Sequence, residues 1–266
     1  NAVRADRAAG ALAENESGQF GVEQRALKGA YKQANQAPAP TTAPYDVMDA
    51  AGNRRQVTTV RNVGDYFPQP VYDLRDEIRA GRAIGPRIQA AGTYLTIPGG
   101  GGDLVLPGHD ESEIPPAART GVASTPDEFA AAAQRAIEGG ADFLKVIASG
   151  AVFSFGTEPG APEMSQEDIA AVVDVARQHG LKVTAHVHSA QSAKDAVLAG
   201  VDSLEHASLL DDEAIALVAE HGVSLSMDVY NGTYTENVGR DQGYPEDIMQ
   251  RNFDTTEAQR VVFEKA

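Results

Sequence analysis

The 266-residue sequence has no cysteine, which excludes disulfides, thiolate metal sites and a cysteine nucleophile. Basic residues are scarce: 22 lysines and arginines stand against 38 aspartates and glutamates, a formal net charge of -16. A surface of that sign repels phosphate backbones and anionic membranes, and no basic patch offsets it. Neither nucleic acid nor a membrane is therefore an expected partner. No apolar run approaches the roughly 18 residues of a membrane helix. The opening residues Asn1 to Asp6 lack the apolar core of a secretory leader, and the compartment stays open between cytoplasmic and, after leader removal, exported.

What is present is a globular composition, 42% hydrophobic and 23% charged, on a chain long enough for one large α/β domain. Residues 1–56 are rich in Ala, Gln, Asn and Arg, carry Pro38, Pro40 and Pro44, and show no sustained hydrophobic period. They read as an N-terminal arm, disordered or rearranged. From Val57 the character changes. Val57–Asn62 is β-branched and strand-like, Val71–Ala80 has a helical apolar stripe, and Arg87–Ala91 is the next strand.

A long loop with Gly99–Asp103 and the Pro115-Pro116 pair follows. Thr125, Pro126 and Glu128 then predict a capped helix start, and Ser165 with Asp168 predicts another. Ile169, Val172, Val173 and Ala176 give the second helix one apolar face. Helices from Ala190 to Ala199 and from Asp211, a strand over Val223–Val229 and a last helix over Thr255–Ala266 follow. Glycines 140, 180, 200 and 222 each separate a helix from an apolar strand, the rhythm of a parallel sheet with right-handed crossovers. Six strand–helix units are visible where a closed (β/α)8 barrel has eight, so the chain is expected to be incomplete.

Three of these strands carry chemistry. Phe143–Ile147 contains Lys145, Thr184–His188 contains His186 and His188, and Ser203–His206 ends on His206. Catalytic groups of β/α barrels sit at strand C-termini, and with cysteine absent the candidates are nitrogen and oxygen donors. Alternation puts Lys145 on the barrel's inner face with Phe143 and Ile147, and His186 and His188 on a common face. Lys145 reads either as a lysine paired with a core carboxylate or as one that has taken up carbon dioxide to become an anionic ligand. His109, His179 and His221 lie in a loop or near helix ends, where solvated histidine is the ordinary reading. The Gly99–Gly102 run reads as a mobile active-site loop or, less directly, a phosphate cradle.

From Val57 to Tyr234 the sequence resembles the amidohydrolase superfamily, in its imidazolonepropionase-like and Xaa-Pro dipeptidase (prolidase)-like branch. The resemblance rests on Thr58–Asn62, Gly85-Pro86-Arg87, Leu144–Val146, Ala185–Ser189, Asp202–Ala207 and Met227–Asn231. Forty-one residues separate Lys145 from His186 and twenty separate His186 from His206, as in that group.

The resemblance implies a TIM-like (β/α)8 barrel represented by strands 2–7, and a hydrolase of amide, cyclic amide or dipeptide C–N bonds acting through a metal-activated hydroxide. It implies one or two divalent metals, usually Zn2+, bound by carboxylated Lys145, His186 and His206. His188 and Tyr230 would contact the substrate, a small or dipeptide-like molecule, and a homo-oligomer is an accompanying expectation. The family's first-strand His-x-His pair and eighth-strand Asp have no counterpart here, and Gly101 stands where many relatives have a histidine. A barrel homologue that binds metal or a small ligand without turnover is the alternative reading.

Overall fold

From Thr59 onward, strands joined through a helix run parallel. In this computed structural model, which describes residues 45–48, 54–106 and 108–266, the first elements are strands β1 (Tyr45–Met48) and β2 (Arg54–Val57), paired antiparallel. The rest of the expected N-terminal arm lies outside the described residues. The run Val57–Asn62, expected as one strand, is divided: Val57 closes β2, and Thr59–Asn62 forms β3. β-Branching favours extended backbone but carries no mark of the bend at Thr58. Helix α1 (Gln69–Arg79) then leads to β4 (Arg87–Ala90), which pairs in parallel with β3.

The larger sheet is parallel and runs in chain order: β5 (Tyr94–Leu95), β6 (Leu144–Ile147), β7 (Val183–Ser189), β8 (Ser203–Leu209) and β9 (Ser224–Ser226). Helices α2 (Pro126–Glu138), α3 (Gln166–Gln178), α4 (Ala190–Ala199) and α5 (Asp212–His221) precede β6 to β9 in turn. β4 and β5 are successive halves of one wall. An Asp65–Thr93 bridge and the Asp142 N–H donated to the Ala90 carbonyl at 2.8 Å join the two sheets there. The result is part of a (β/α)8 barrel.

Local chemistry explains the boundaries. The Thr125 hydroxyl accepts the Glu128 N–H to open α2, while the Glu128 carboxylate takes the Ser124 N–H, one residue earlier than in the expected box. At α3 the Ser165–Asp168 box closes as expected. Gly200 and Gly222 end α4 and α5 at φ 92° and 65°, a left-handed backbone that strains any residue with a side chain. Two expectations are corrected near the C-terminus. β9 ends at Ser226 rather than Val229, and helix α6 (Val229–Val238) starts there instead. The last helix, α7, spans Glu246–Lys265, its acidic first turn complementing the helix dipole.

The sheet sends its apolar residues outward. Leu144, Val146, Val183, Ala185, Val187 and Leu204 are fully buried against Phe129, Ile169, Val172 and Val197 of the helices. Burying such side chains contributes about 1.5–3 kcal/mol each. The opposite faces of β6, β7 and β8 are free to carry polar residues, and these are Lys145, Thr184, His186, His188, Ser203 and Glu205, all buried.

Candidate active site

The parallel register stacks the inner-face residues in layers. Lys145 lies level with Thr184, and Thr184 with Ser203. One layer nearer the C-terminal mouth, Ile147 lies level with His186, and His186 with Glu205. The lower layers are held by Glu205, whose Oε1 accepts from Thr184 Oγ1 at 2.6 Å and from Arg61 of β3 at 3.2 Å, across the barrel. Burial alone would raise the Glu205 carboxyl. The Thr184 hydroxyl, the Lys145 charge, the Ser226 hydroxyl and Arg61 together hold it below its ordinary value. Lys145 fares oppositely: burial pushes it down to about 7, and the attraction of Glu205 and Asp228 does not restore it.

Strict alternation would place Glu205 and His206 on opposite faces of β8. Instead, the β7–β8 register shifts after the Val187–His206 pair, resuming at Ser189–Leu209. His206 and Ala207 there take φ of 70° and 51°. Left-handed backbone costs an L-residue roughly 1–2 kcal/mol, and bulges of this kind re-aim a side chain. The His206 ring thereby meets those of His186 and His188, with centroids 4.6 Å and 5.3 Å away; the latter two are 4.7 Å apart.

Each imidazole is oriented by a neighbour. His206 Nδ1 lies 3.0 Å from Asp228 Oδ1, just past β9, and Gln259 Nε2 of α7 donates to the same oxygen at 2.9 Å. Burial works against the charge of Asp228, but its bonds to His206 and Gln259 hold the carboxyl well below its ordinary value. An ionised carboxylate only accepts, so His206 Nδ1 carries a proton and its ring is held by that bond. His186 makes a backbone hydrogen bond with Gly150 that favours its protonated form, so the imidazole is the donor. Its Nε2 is buried with no partner among the described residues. The donor is therefore Nδ1, and Nε2 bears the lone pair. His188 Nδ1 lies 3.0 Å from Ser208 Oγ.

Burial, then the neighbouring His206, His188 and Lys145, keeps His186 far below the ordinary imidazole value; burial and His206 push His188 down to about 3. Both are neutral at physiological pH. The donor set therefore fits a divalent cation: the neutral imidazoles of His186 and His188, with His186 Nε2 orphaned, beside the ionised Asp228 carboxylate. Among the described residues, however, no three His, Asp or Glu side chains already stand at metal-binding spacing.

Four of the five residues expected from the sequence are thus placed at one mouth of the barrel. His186, His188 and His206 meet directly. Lys145 sits one layer below, two residues or about 6.6 Å along the strand, with its charge acting on His186 and His188. Tyr230 belongs to α6, and its side chain lies outside the described residues. Glu205, Asp228, Gln259 and Arg61 were not singled out from the sequence as site residues. Asp228 alone had a local signal, its place just beyond an apolar strand.

The phosphate-cradle reading of the glycine run is overturned. Gly99 N–H donates to Asp103, Gly100 to the Ile97 carbonyl, Gly101 to Glu163 and Gly102 to the Thr96 hydroxyl. Internal acceptors, two of them carboxylates, already take the N–H groups a phosphate would need.

A partial parallel barrel with its polar cluster at the strand C-termini defines a β/α-barrel protein whose chemistry sits at that mouth. The chain belongs to the amidohydrolase family, whose profile matches residues 54–245. Ochratoxinase of Aspergillus niger is 31% identical over 177 residues, covering 62% of this chain and 36% of that protein. The structure of a Xaa-Pro dipeptidase with methionine bound in its active site matches with a TM-score of 0.70 and 33% identity, over 78% of this chain and 51% of the other. A prolidase complexed with N-methylphosphonate-L-proline matches with a TM-score of 0.70 and 28% identity over the same 78% and 51%. The chain thus spans about a third of the curated relative's length and half of each solved structure.

Proposed function

We propose that this chain carries part of the active site of a metal-dependent hydrolase that cleaves an amide, cyclic amide or dipeptide C–N bond in a small substrate. The observation that supports it best is the pair of imidazoles, His186 and His206, whose Nδ1 atoms are tied to acceptors, with His186 Nε2 buried and without a partner among the described residues. Orientation of this kind is what ligating histidines require. His186 and His206 would hold a zinc or similar divalent ion, which when bound supplies Lewis acidity toward a carbonyl oxygen and lowers the pKa of water.

The chain's own residues account for the rest. Asp228 and Gln259 fix the His206 ring, and the Gly150 carbonyl fixes His186. With its pKa at about 7, a large share of Lys145 is unprotonated near neutrality. That amine can add carbon dioxide, forming an N–C bond and releasing one proton, to give a carbamate oxygen donor beside the histidines. His188, neutral and hydrogen-bonded to Ser208, would contact the substrate through its other nitrogen.

The test is zinc reconstitution followed by assay on a panel of dipeptides and N-acyl amino acids. Hydrolysis lost in Lys145→Ala and partly restored by short carboxylic acids is the expected result; bound zinc with no turnover on any substrate would refute it. The second reading is a barrel homologue that binds metal or a small ligand without turnover, and bound zinc with no hydrolysis is the result it predicts.

A further inference from the structure

We propose that the pocket beside the Gly99-Gly100 turn is a carboxylate-binding subsite, in which Arg251 is the receptor and Glu158 holds the ligand's place. The pocket has a volume of roughly 550 Å3, within the range of small-molecule sites, and is lined by Ile97, the two glycines, Pro162, Glu163 and Arg251 among others.

The two opposite charges in it are not equally fixed. Arg251 reaches in from α7 and donates through Nη1 to the carbonyls of Ser154 and Thr157 at 3.3 and 2.9 Å. Its Nη2 donates to one oxygen of Glu158 at 2.8 Å. The Arg251 side chain is 21% exposed and that of Glu158 72%. The guanidinium is therefore the built part, and the carboxylate is the part that water or a ligand can replace. Two backbone carbonyls keep Arg251 aimed into the pocket when Glu158 leaves, and an incoming carboxylate regains a charge-assisted bond.

A cationic ligand has no comparable partner. Glu163 takes the Gly101 N–H at 2.9 Å on both oxygens and the Thr157 hydroxyl at 2.6 Å, so much of its acceptor capacity is already used. Burial also raises its pKa. An ammonium group would meet solvated Glu158 and a Glu163 whose burial disfavours its charge.

The subsite shares a wall with the histidine cluster. Ser149 Oγ accepts the His188 N–H at 2.8 Å, Gly150 N–H donates to the Ala161 carbonyl at 2.8 Å, and Glu163 N–H to the Ala148 carbonyl at 3.1 Å. A molecule held by its carboxylate at Arg251 would lie along the loop whose other side orients His186 and His188. The link to hydrolysis rests on the function proposed above; the binding does not.

Calorimetric titration of the 266-residue chain with pentanoate, a probe that cannot be hydrolysed, tests the inference. Pentanoate should bind at least about tenfold more tightly than neutral pentanamide, and Arg251→Gln should abolish that preference. Glu158→Gln should tighten pentanoate binding roughly two- to fivefold, the worth of the solvated ion pair it removes. Equal affinity for acid and amide, or pentanoate binding unimproved in Glu158→Gln, would overturn the proposal. Glu158→Gln leaves both carbonyl contacts of Arg251 intact, so its result stands even if Arg251→Gln disturbs the loop. A chain that shows the acid preference yet hydrolyses nothing supports the subsite and counts only against the hydrolase reading.

Discussion

His206 Nδ1 and Asp228 Oδ1 face each other at 3.0 Å across the mouth between β8 and β9. Gln259 makes this a closed arrangement, donating at 2.9 Å to that oxygen and at 2.8 Å to the His206 carbonyl. A residue of the last helix thus grips both the side chain's partner and the backbone of a histidine held at φ 70°. The strain is local, and the contacts that offset it come from distant parts of the chain.

Replacing Asp228 should therefore be felt as ligand orientation. Asp228→Asn is expected to weaken Zn2+ binding about 10- to 100-fold, the usual effect of losing a histidine's carboxylate partner. Competition against a chromophoric chelator measures it. Unchanged affinity would detach Asp228 from the site.

Lys145 gives a pH-dependent prediction. Its pKa falls from 10.5 to about 7 on folding, so between those values the unfolded chain binds more protons. Stability should rise with pH across that window, with the full cost of the buried charge present below it. Lys145→Met removes the cost. A gain of about 1–4 kcal/mol near pH 6 is expected, shrinking toward pH 10, by urea denaturation at the two values. A gain of equal size at both, or a loss at the lower one, would contradict the assignment.

The loop wall shared by the histidines and the Arg251 pocket depends on Gly150. A Cβ there would stand 2.0 Å from the Glu158 carbonyl oxygen and 2.3 Å from Thr157 Oγ1. Gly150→Ala should cost about 1–3 kcal/mol from overpacking and lower the melting temperature. Gly180→Ala is the comparison, since at φ +67° it meets nothing within 4 Å and should cost only backbone strain of roughly 1 kcal/mol. Equal losses would mean that the loop yields freely.

What could be read from the residues followed short-range rules. Ser165 with Asp168 and the glycines at 200 and 222 mark helix ends because capping is settled within a turn. Lys145, His186 and His188 were legible because alternation decides the face of an unbroken strand. His206 was expected at the site, but its direction depends on a register shift against β7 that its own strand does not reveal. Arg61 and Glu205 lie 144 residues apart, and Gln259 lies 53 residues from His206, so these pairings leave no local trace. The run at Gly99 shows why composition misleads. Glycine makes backbone N–H groups approachable, but Asp103 and Glu163 decide what approaches them.

The most direct test of a cation site built on β7 and β8 is anomalous scattering at the zinc edge from crystals of the chain grown with Zn2+. The account predicts a peak about 2.0–2.1 Å from Nε2 of both His186 and His206, with density for a carbamate on Lys145 alongside. No peak there, or one bound elsewhere while His186 Nε2 stays unliganded, would contradict it.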